Sequence, residues 1–180
     1  MAEQQTKTEG AIKSGNGRYI FDLQKLSTID AGPGYSTAHG PVVEGERMQM
    51  GLIRMPKGTG ARPHSHPNEQ WVYVLQGTLE SEVEGVKSRV PAGSLIYIPA
   101  NAIHSALATP DQDVVFFTAK DMSHGIVGTA VDTSVSAPAY APGFEDMLRR
   151  KPVIEKLRSK IDFCPNTPLR KVIELTAAAA

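Results

Sequence analysis

Short apolar runs separated by turn-forming residues dominate the middle of the chain. They contain β-branched or aromatic residues and lie at 48–55, 70–77, 78–85, 94–100, 103–109 and 113–120. Stretches such as PKGTG, PAGS and TPDQD, rich in Gly, Pro, Asn and Asp, stand between the runs. This pattern predicts an all-β domain, either an antiparallel barrel or a sandwich. The alternating glutamates of LESEVEG indicate a strand with one face in water.

The pattern changes towards both ends of the chain. Residues 1–17 are polar with little to bury, which predicts a flexible N-terminal segment. We expect the barrel domain over 18–134. Over 135–180 the Pro/Ala-rich SVSAPAYAPG predicts a linker, and the apolar spacing after it predicts a short helical C-terminal extension that Pro152 kinks or breaks.

Composition narrows the classes of partner. The 180 residues hold 19 Lys+Arg and 19 Asp+Glu, so no basic surface indicates a nucleic-acid partner. No run approaches the ~18 apolar residues of a membrane helix, and the polar N-terminus lacks the apolar core of a signal peptide. The single cysteine, Cys164, favours a reducing compartment. We therefore expect a cytoplasmic protein without a membrane partner.

Two of the five histidines are spaced as metal ligands would be. His64 and His66 are separated by one residue, and on a strand such side chains point to one face about 6.5 Å apart. Two imidazoles placed in this way can share one divalent ion. The pair alone is a weak signal, and surface or structural roles remain the interpretation for His39 and His124.

The residues around this pair follow a longer pattern. Gly58 is followed after five residues by His64, Ser and His66, then after three residues by Gln70 and after six more by Gly77. This order is similar to the first motif of the cupin superfamily, G-x5-H-x-H-x(3,4)-E-x6-G, with Gln in place of Glu.

A second motif follows in the expected order. Five residues separate Gly93 from Pro99. Pro99 is followed by Asn101, His104 and Ala108. The segment resembles the cupin pattern G-x5-P-x-G-x2-H-x3-N. Asn replaces a glycine, which is mild because Asn tolerates left-handed turns, and Ala replaces the final Asn.

The resemblance covers about residues 45–120. It implies a double-stranded β-helix, or jelly-roll barrel, that holds one divalent metal ion (Fe²⁺, Mn²⁺, Ni²⁺, Co²⁺ or Zn²⁺). The implied ligands are His64, His66, His104 and Gln70. Strand parity favours Gln70 over Glu69 as the fourth ligand, although a shift at the tight turn would favour Glu69. A hydrogen bond from Gln70 to a ligand is the alternative to direct ligation.

A donor set of three imidazoles and one amide lacks the carboxylate of the usual oxygen-activating iron site. This favours Lewis-acid lyase or isomerase chemistry on a small carbonyl, hydroxy or carboxylate compound. Cupins with Gln at this position, which include isomerases and lyases, resemble this chain. The alternatives are an Fe(II) dioxygenase that cleaves a C–C bond of a ketone or phenolic compound, and a non-catalytic cupin that binds a small molecule.

The catalytic candidates are Gln70, Tyr97 and Arg54. Arg54 stands in an apolar run and could bind a substrate carboxylate, as could Arg62. Tyr97 could move a proton, as could the AKDMSH segment through Lys120, Asp121 and His124, although a solvated turn is the alternative for that segment.

The remaining expectations concern the walls of the barrel and its assembly. We expect the cavity wall to include Val72, Val74, Leu52, Phe116 and Ile96. Trp71 is expected in the core or at a dimer contact. By analogy with cupin barrels that pair through sheet edges and exchanged arms, we expect a homodimer.

Overall fold

The computed structural model describes residues 5–145, and the predicted helices of the C-terminal extension lie outside these residues. The strands are β1 (Ile12–Lys13), β2 (Ile29–Asp30), β3 (His39–Gly40), β4 (Val42–Glu44), β5 (Met48–Met55), β6 (Thr59–Ser65), β7 (Gln70–Gln76), β8 (Thr78–Val83), β9 (Val86–Pro91), β10 (Leu95–Ile98), β11 (His104–Ala108), β12 (Val114–Asp121), β13 (Thr129–Ala130) and β14 (Ala139–Tyr140). A single 3₁₀ turn, Leu23–Lys25, stands between β1 and β2.

Two sheets form a jelly-roll barrel, which confirms the predicted all-β fold. The larger sheet has the order β1-β4-β5-β12-β7-β10, and β3 pairs with both β2 and β5 beside this path. The smaller sheet has the order β13-β6-β11-β8-β9, with β14 paired to β6. Among the described residues, no helix is long and apolar enough to cross a membrane.

Alternating burial along the strands places the core between the sheets. On β12 the inward side chains Val114, Phe116, Thr118 and Lys120 are buried, while the residues between them are partly exposed. Because successive side chains of a strand point to opposite faces, each such strand has one cavity face and one outer face.

Sequence patterning missed strand β6, because its glycine and proline resemble a turn. A Cβ atom on Gly60 would lie 2.0 Å from the backbone oxygen of Ala106, so only glycine allows β6 and β11 to approach as they do. The strand matters because it carries His64 into the barrel.

Strands on either side of the range 18–134 also pair with the strands of the barrel. Strand β1 pairs in parallel with β4, and the backbone N–H groups of Lys7 and Thr8 donate to the carboxylate of buried Glu44. At the other end β14 pairs with β6, and the compact unit extends to Gly143. These backbone pairings attach polar segments that contribute little to the hydrophobic pattern.

Candidate functional site

A cavity of about 80 Å³ lies between the two sheets. The polar side chains that line it are Tyr35, Ser36, His64, Gln70, Ser81, His104, Ser105, Thr118 and Lys120. Within residues 5–145, no aspartate or glutamate lines this cavity. Its charge and hydrogen-bonding character therefore come from imidazoles, hydroxyls, one amide and one ammonium.

His64 and His104 line this cavity together because β6 and β11 are neighbours, and the His66 ring lies beside them. His104 at the start of β11 is directly opposite His64 on β6, and His66 lies just beyond the end of β6. The ring centroids of His64 and His104 are 4.1 Å apart, and those of His66 and His104 are 4.8 Å apart. Residues 40 positions apart in sequence thus form one cluster.

Each imidazole of the cluster has its Nδ1 atom against a backbone carbonyl. The carbonyl oxygens belong to Arg62, Asn68 and Ala102 and lie 2.8, 2.8 and 3.0 Å from the respective nitrogens. A carbonyl only accepts hydrogen bonds, so Nδ1 carries the proton on each ring. The Nε2 lone pairs are left as potential metal ligands.

Gln70 lies beside His66, as strand parity predicted. Its Oε1 atom is 2.8 Å from His66 Nε2, and its Nε2 atom donates to the Thr118 hydroxyl at 2.9 Å. The Thr118 hydroxyl in turn donates to the Trp71 carbonyl, which fixes the orientation of the amide. Two acceptor atoms, one on Gln70 and one on neutral His66, therefore face each other.

A proton on His66 Nε2 would relieve this conflict, but the environment opposes it. Burial, followed by the nearby charge of Lys120, lowers the pKa of His66 to about 4. Burial also lowers the pKa of His64 to about 4 and that of His104 to about 3. With neutral imidazoles, a metal ion bound to both acceptors fits the donor set.

The side chains as placed are not a finished ion site. No group of three or more His, Cys, Asp or Glu side chains within residues 5–145 is in position to hold an ion. The His64 and His66 ring centroids are 6.2 Å apart, the widest separation in the cluster. An ion would thus need small side-chain rotations and the amide of Gln70 as a further donor.

Lys120 lies inside the barrel rather than in a solvated turn. Its side chain is on the inward face of β12, it is 3% exposed, and its Nζ donates to the Ile126 carbonyl at 2.8 Å. Burial lowers its pKa to about 7. Alternation along 114–120 could have indicated this orientation, because Lys120 shares parity with Val114 and Phe116.

Tyr35, in the Gly/Pro-rich loop before β3, is a cavity residue that sequence reasoning missed. Its ring lies 4.7 Å from that of His64, and its hydroxyl accepts a hydrogen bond from the Gly128 N–H at 2.9 Å. Burial raises the pKa of this phenol. Loop position gives no periodicity, so no local signal could have placed it at the site.

Tyr97 and Arg54, two of the predicted catalytic residues, are not in the cavity. Tyr97 is 45% exposed on the outer face of β10, stacked on Trp71, because Ile96 and Ile98 take the inward positions. Its hydroxyl donates to Glu69, which is also on the outside. Arg54 pairs with Asp113 on the outer face of β5. Neither side chain lines the cavity.

The other candidates have structural contacts. Arg62 pairs with Asp132 and donates to the Val135 carbonyl. The Asp121 carboxylate accepts from the Glu69 and Ser123 backbone, and exposed His124 offers its carbonyl to Asn68. Of the predicted wall, Val72, Ile96 and Phe116 line the cavity, Val74 is in the core, and Leu52 faces outward because Ile53 and Met55 face inward.

Comparison with known proteins agrees with this architecture. Residues 51–120 match the family model of the cupin domain. The solved structure of KdgF from Halomonas sp. is 25% identical with a TM-score of 0.50, over 57% of this chain and 94% of that one. The polyketide cyclase RemF from Streptomyces resistomycificus shares the fold. It is 19% identical with a TM-score of 0.57, over 66% of this chain and 88% of that one.

A curated relative adds a likeness in sequence. Dimethylsulfoniopropionate lyase DddW from Ruegeria pomeroyi is 31% identical over 64 residues, which is 36% of this chain. The match spans 42% of that protein, less than half of its length.

Proposed function

The barrel belongs to the cupin superfamily, and from that premise we propose that it is a metal-dependent lyase or isomerase acting on a small oxygenated molecule. The ion would be held by His64, His66, His104 and Gln70. The observation that carries the proposal is the 2.8 Å separation between His66 Nε2 and Gln70 Oε1. Two acceptors at that distance repel each other unless a proton or a cation lies between them, and the low pKa of His66 disfavours the proton.

The chemistry of the donor set favours non-redox catalysis. All four donors are neutral, so the protein would leave the charge of the ion largely uncompensated. Bound there, a divalent ion would act as a Lewis acid that stabilises negative charge on a substrate oxygen. The likeness to a curated lyase supports the same reaction class.

Tyr35 is the residue best placed to move a proton. Its oxygen already accepts from the Gly128 N–H, and no acceptor for its own O–H is found among the described residues. The phenol can therefore donate its proton to a substrate atom in the cavity. The apolar side chains of Val72, Ile96 and Phe116 would keep bulk water away from this transfer.

The test is metal content measured beside turnover. Protein purified without added metal, then stripped with a chelator and reloaded, would be assayed on small hydroxy, keto and unsaturated acids, with an oxygen electrode in the same vessel. We expect an ion that chelation removes, and turnover that returns on reloading without oxygen uptake. Oxygen consumed in step with turnover would replace the proposal with a dioxygenase, and failure to bind any divalent ion would overturn it.

The Gln70→Glu variant sharpens this test. It keeps an oxygen donor at the same place but adds a negative charge that weakens the Lewis acid. We expect the ion to be retained while turnover falls by roughly tenfold, or about 1.4 kcal/mol in barrier. Unchanged turnover with tighter metal binding would contradict the role of a neutral fourth donor.

A further inference from the structure

Lys120 is a buried cation that forms no salt bridge among the described residues, although the charge of neighbouring Asp121 acts on it. None of the four ion pairs found among the described residues includes it, and no acidic side chain lines the cavity that it faces. Its Nζ has one hydrogen-bond acceptor, the Ile126 carbonyl. An ammonium group has three N–H donors, so two remain available to a molecule in the cavity.

This arrangement is unfavourable for the empty protein. A charge removed from water is costly unless an opposite charge or several hydrogen bonds compensate it. Burial dominates the electrostatics of Lys120 and lowers its pKa to about 7. The other buried charged residue, Glu44, instead accepts two backbone N–H bonds. The charge of Asp121 favours the ammonium form of Lys120 but does not offset its burial, so an anion bound in the cavity would stabilise that form.

Lys120 is also close to the histidine cluster. Its charge contributes to lowering the pKa of His64, His66 and His104, and its inward position on β12 is paired in register with Gln70 on β7. A molecule of a few heavy atoms could therefore reach Lys120 and the imidazoles at the same time.

The geometry points to Lys120 as the group that recognises a carboxylate on the substrate, with the carboxylate oxygens accepting from its two free N–H donors. The inference rests on the proposed function in that the same cavity is the reaction site. It narrows the substrate from a small oxygenated molecule to a small carboxylic acid. Lys120 thereby takes the role that sequence analysis gave to Arg54 and Arg62.

The test compares propionate with propionamide, which have nearly the same shape but differ in charge. Ligand-observed NMR titrations on chelator-stripped protein would give both dissociation constants, so that a bound metal cannot supply the anion site. We expect propionate to bind roughly tenfold more tightly than propionamide, because a charge-assisted hydrogen bond is stronger than a neutral one. The same titrations on reloaded protein show whether the preference persists.

Variants test whether Lys120 causes the preference for propionate over propionamide. Lys120→Met removes the charge, and Lys120→Gln removes it while keeping a donor for the Ile126 carbonyl. Lys87→Met removes an exposed lysine from β9 and is the matched control for net charge. We expect the preference to disappear in both Lys120 variants and to persist in Lys87→Met.

A wild-type protein that binds both probes equally, or a preference that survives in the Lys120 variants, would overturn the inference. If the variants do not fold, the Cε signals of ¹³C-lysine-labelled wild-type protein decide the matter. Propionate, and not propionamide, should then move the signal of the buried lysine. Because the titrations use stripped protein, a failure of the metal proposal would appear separately, as an absence of ion binding in the metal assay.

Discussion

Arg54 and Lys120 lie on neighbouring strands of the same sheet, and their environments are opposite. Arg54 is on the outer face of β5, with its side chain 57% exposed and its guanidinium 2.6 Å from the Asp113 carboxylate. Lys120 is on the cavity face of β12, and none of the described carboxylates lines that cavity. Sequence analysis chose Arg54 as a catalytic candidate, and we propose Lys120 for recognition of the substrate.

The difference shows that a charged side chain has different consequences on the outer face and on the inner face of one sheet. On the outer face, water screens charges and a salt bridge changes little. On the inner face the low dielectric strengthens electrostatic interactions and shifts the pKa values of His64, His66, His104 and Lys120. Charged and titratable groups on the inner face are therefore the ones to test for function.

The largest effect should come from removing an inner-face histidine. We expect His104→Ala to lower metal affinity and turnover by at least about 100-fold, since even indirect contacts to a metal are worth 10–100-fold. His39→Ala is the matched control, because His39 also has its Nδ1 atom at a backbone carbonyl but does not line the cavity. Metal titration and initial rates measure both, and equal losses in the two variants would show that the effect is not local to the site.

The stability of the metal-free protein should depend strongly on pH. In the unfolded chain, histidine side chains become protonated near pH 6.5. In the native protein the pKa is about 4 for His64 and His66 and about 3 for His104, so these imidazoles stay neutral to lower pH. The unfolded state therefore binds more protons in this window, and the free energy of unfolding should fall as pH is lowered through it. Urea unfolding at a series of pH values measures this, and a flat profile would contradict neutral buried imidazoles.

Lys120 should cause a second increase in the free energy of unfolding at higher pH. Its pKa is about 7 in the fold against 10.5 for a lysine in water, so the unfolded state again binds more protons between these values. Stability should increase from pH 7 to about 10.5, and Lys120→Met should remove this increase. An identical slope in the variant would mean that other groups cause it.

Truncation of an apolar side chain should lower the free energy of unfolding much more on the inner face of the sheet than on the outer face. Ile53 is 1% exposed in the core, so Ile53→Ala should cost about 2–5 kcal/mol of unfolding free energy. Leu75, on the outer face of β7, is 49% exposed, and Leu75→Ala should change stability by about 0.5 kcal/mol or less in the isolated chain. Denaturant unfolding measures both. A large loss in Leu75→Ala would indicate that another surface covers this face.

The smallest effect should come from Arg54→Ala. The Arg54–Asp113 pair is largely exposed, so its loss should cost less than about 1 kcal/mol and leave turnover within twofold of wild type. Thermal unfolding and initial rates test this. A tenfold loss of turnover would return Arg54 to the list of functional residues.

The local sequence pattern is sufficient to predict the orientation of some residues at the site. Strand parity selected Gln70 over Glu69, and the structure places the first in the cavity and the second on the surface. The same rule, applied to β10, would have rejected Tyr97, because Ile96 and Ile98 are the inward residues. Asn101 has a φ of 64°, so it adopts the left-handed turn that its glycine-like position in the motif predicts.

The sequence by itself determined the all-β class, the faces of the strongly alternating strands and the grouping of residues into two motifs. These follow from period-two alternation and turn chemistry, which act between near neighbours. Only the tertiary structure decided that Tyr35 and Lys120 share a cavity with His64 and His104. Their proximity depends on the pairing of distant strands and the packing of a loop, and burial, which shifts their pKa values, exists only once the two sheets enclose them.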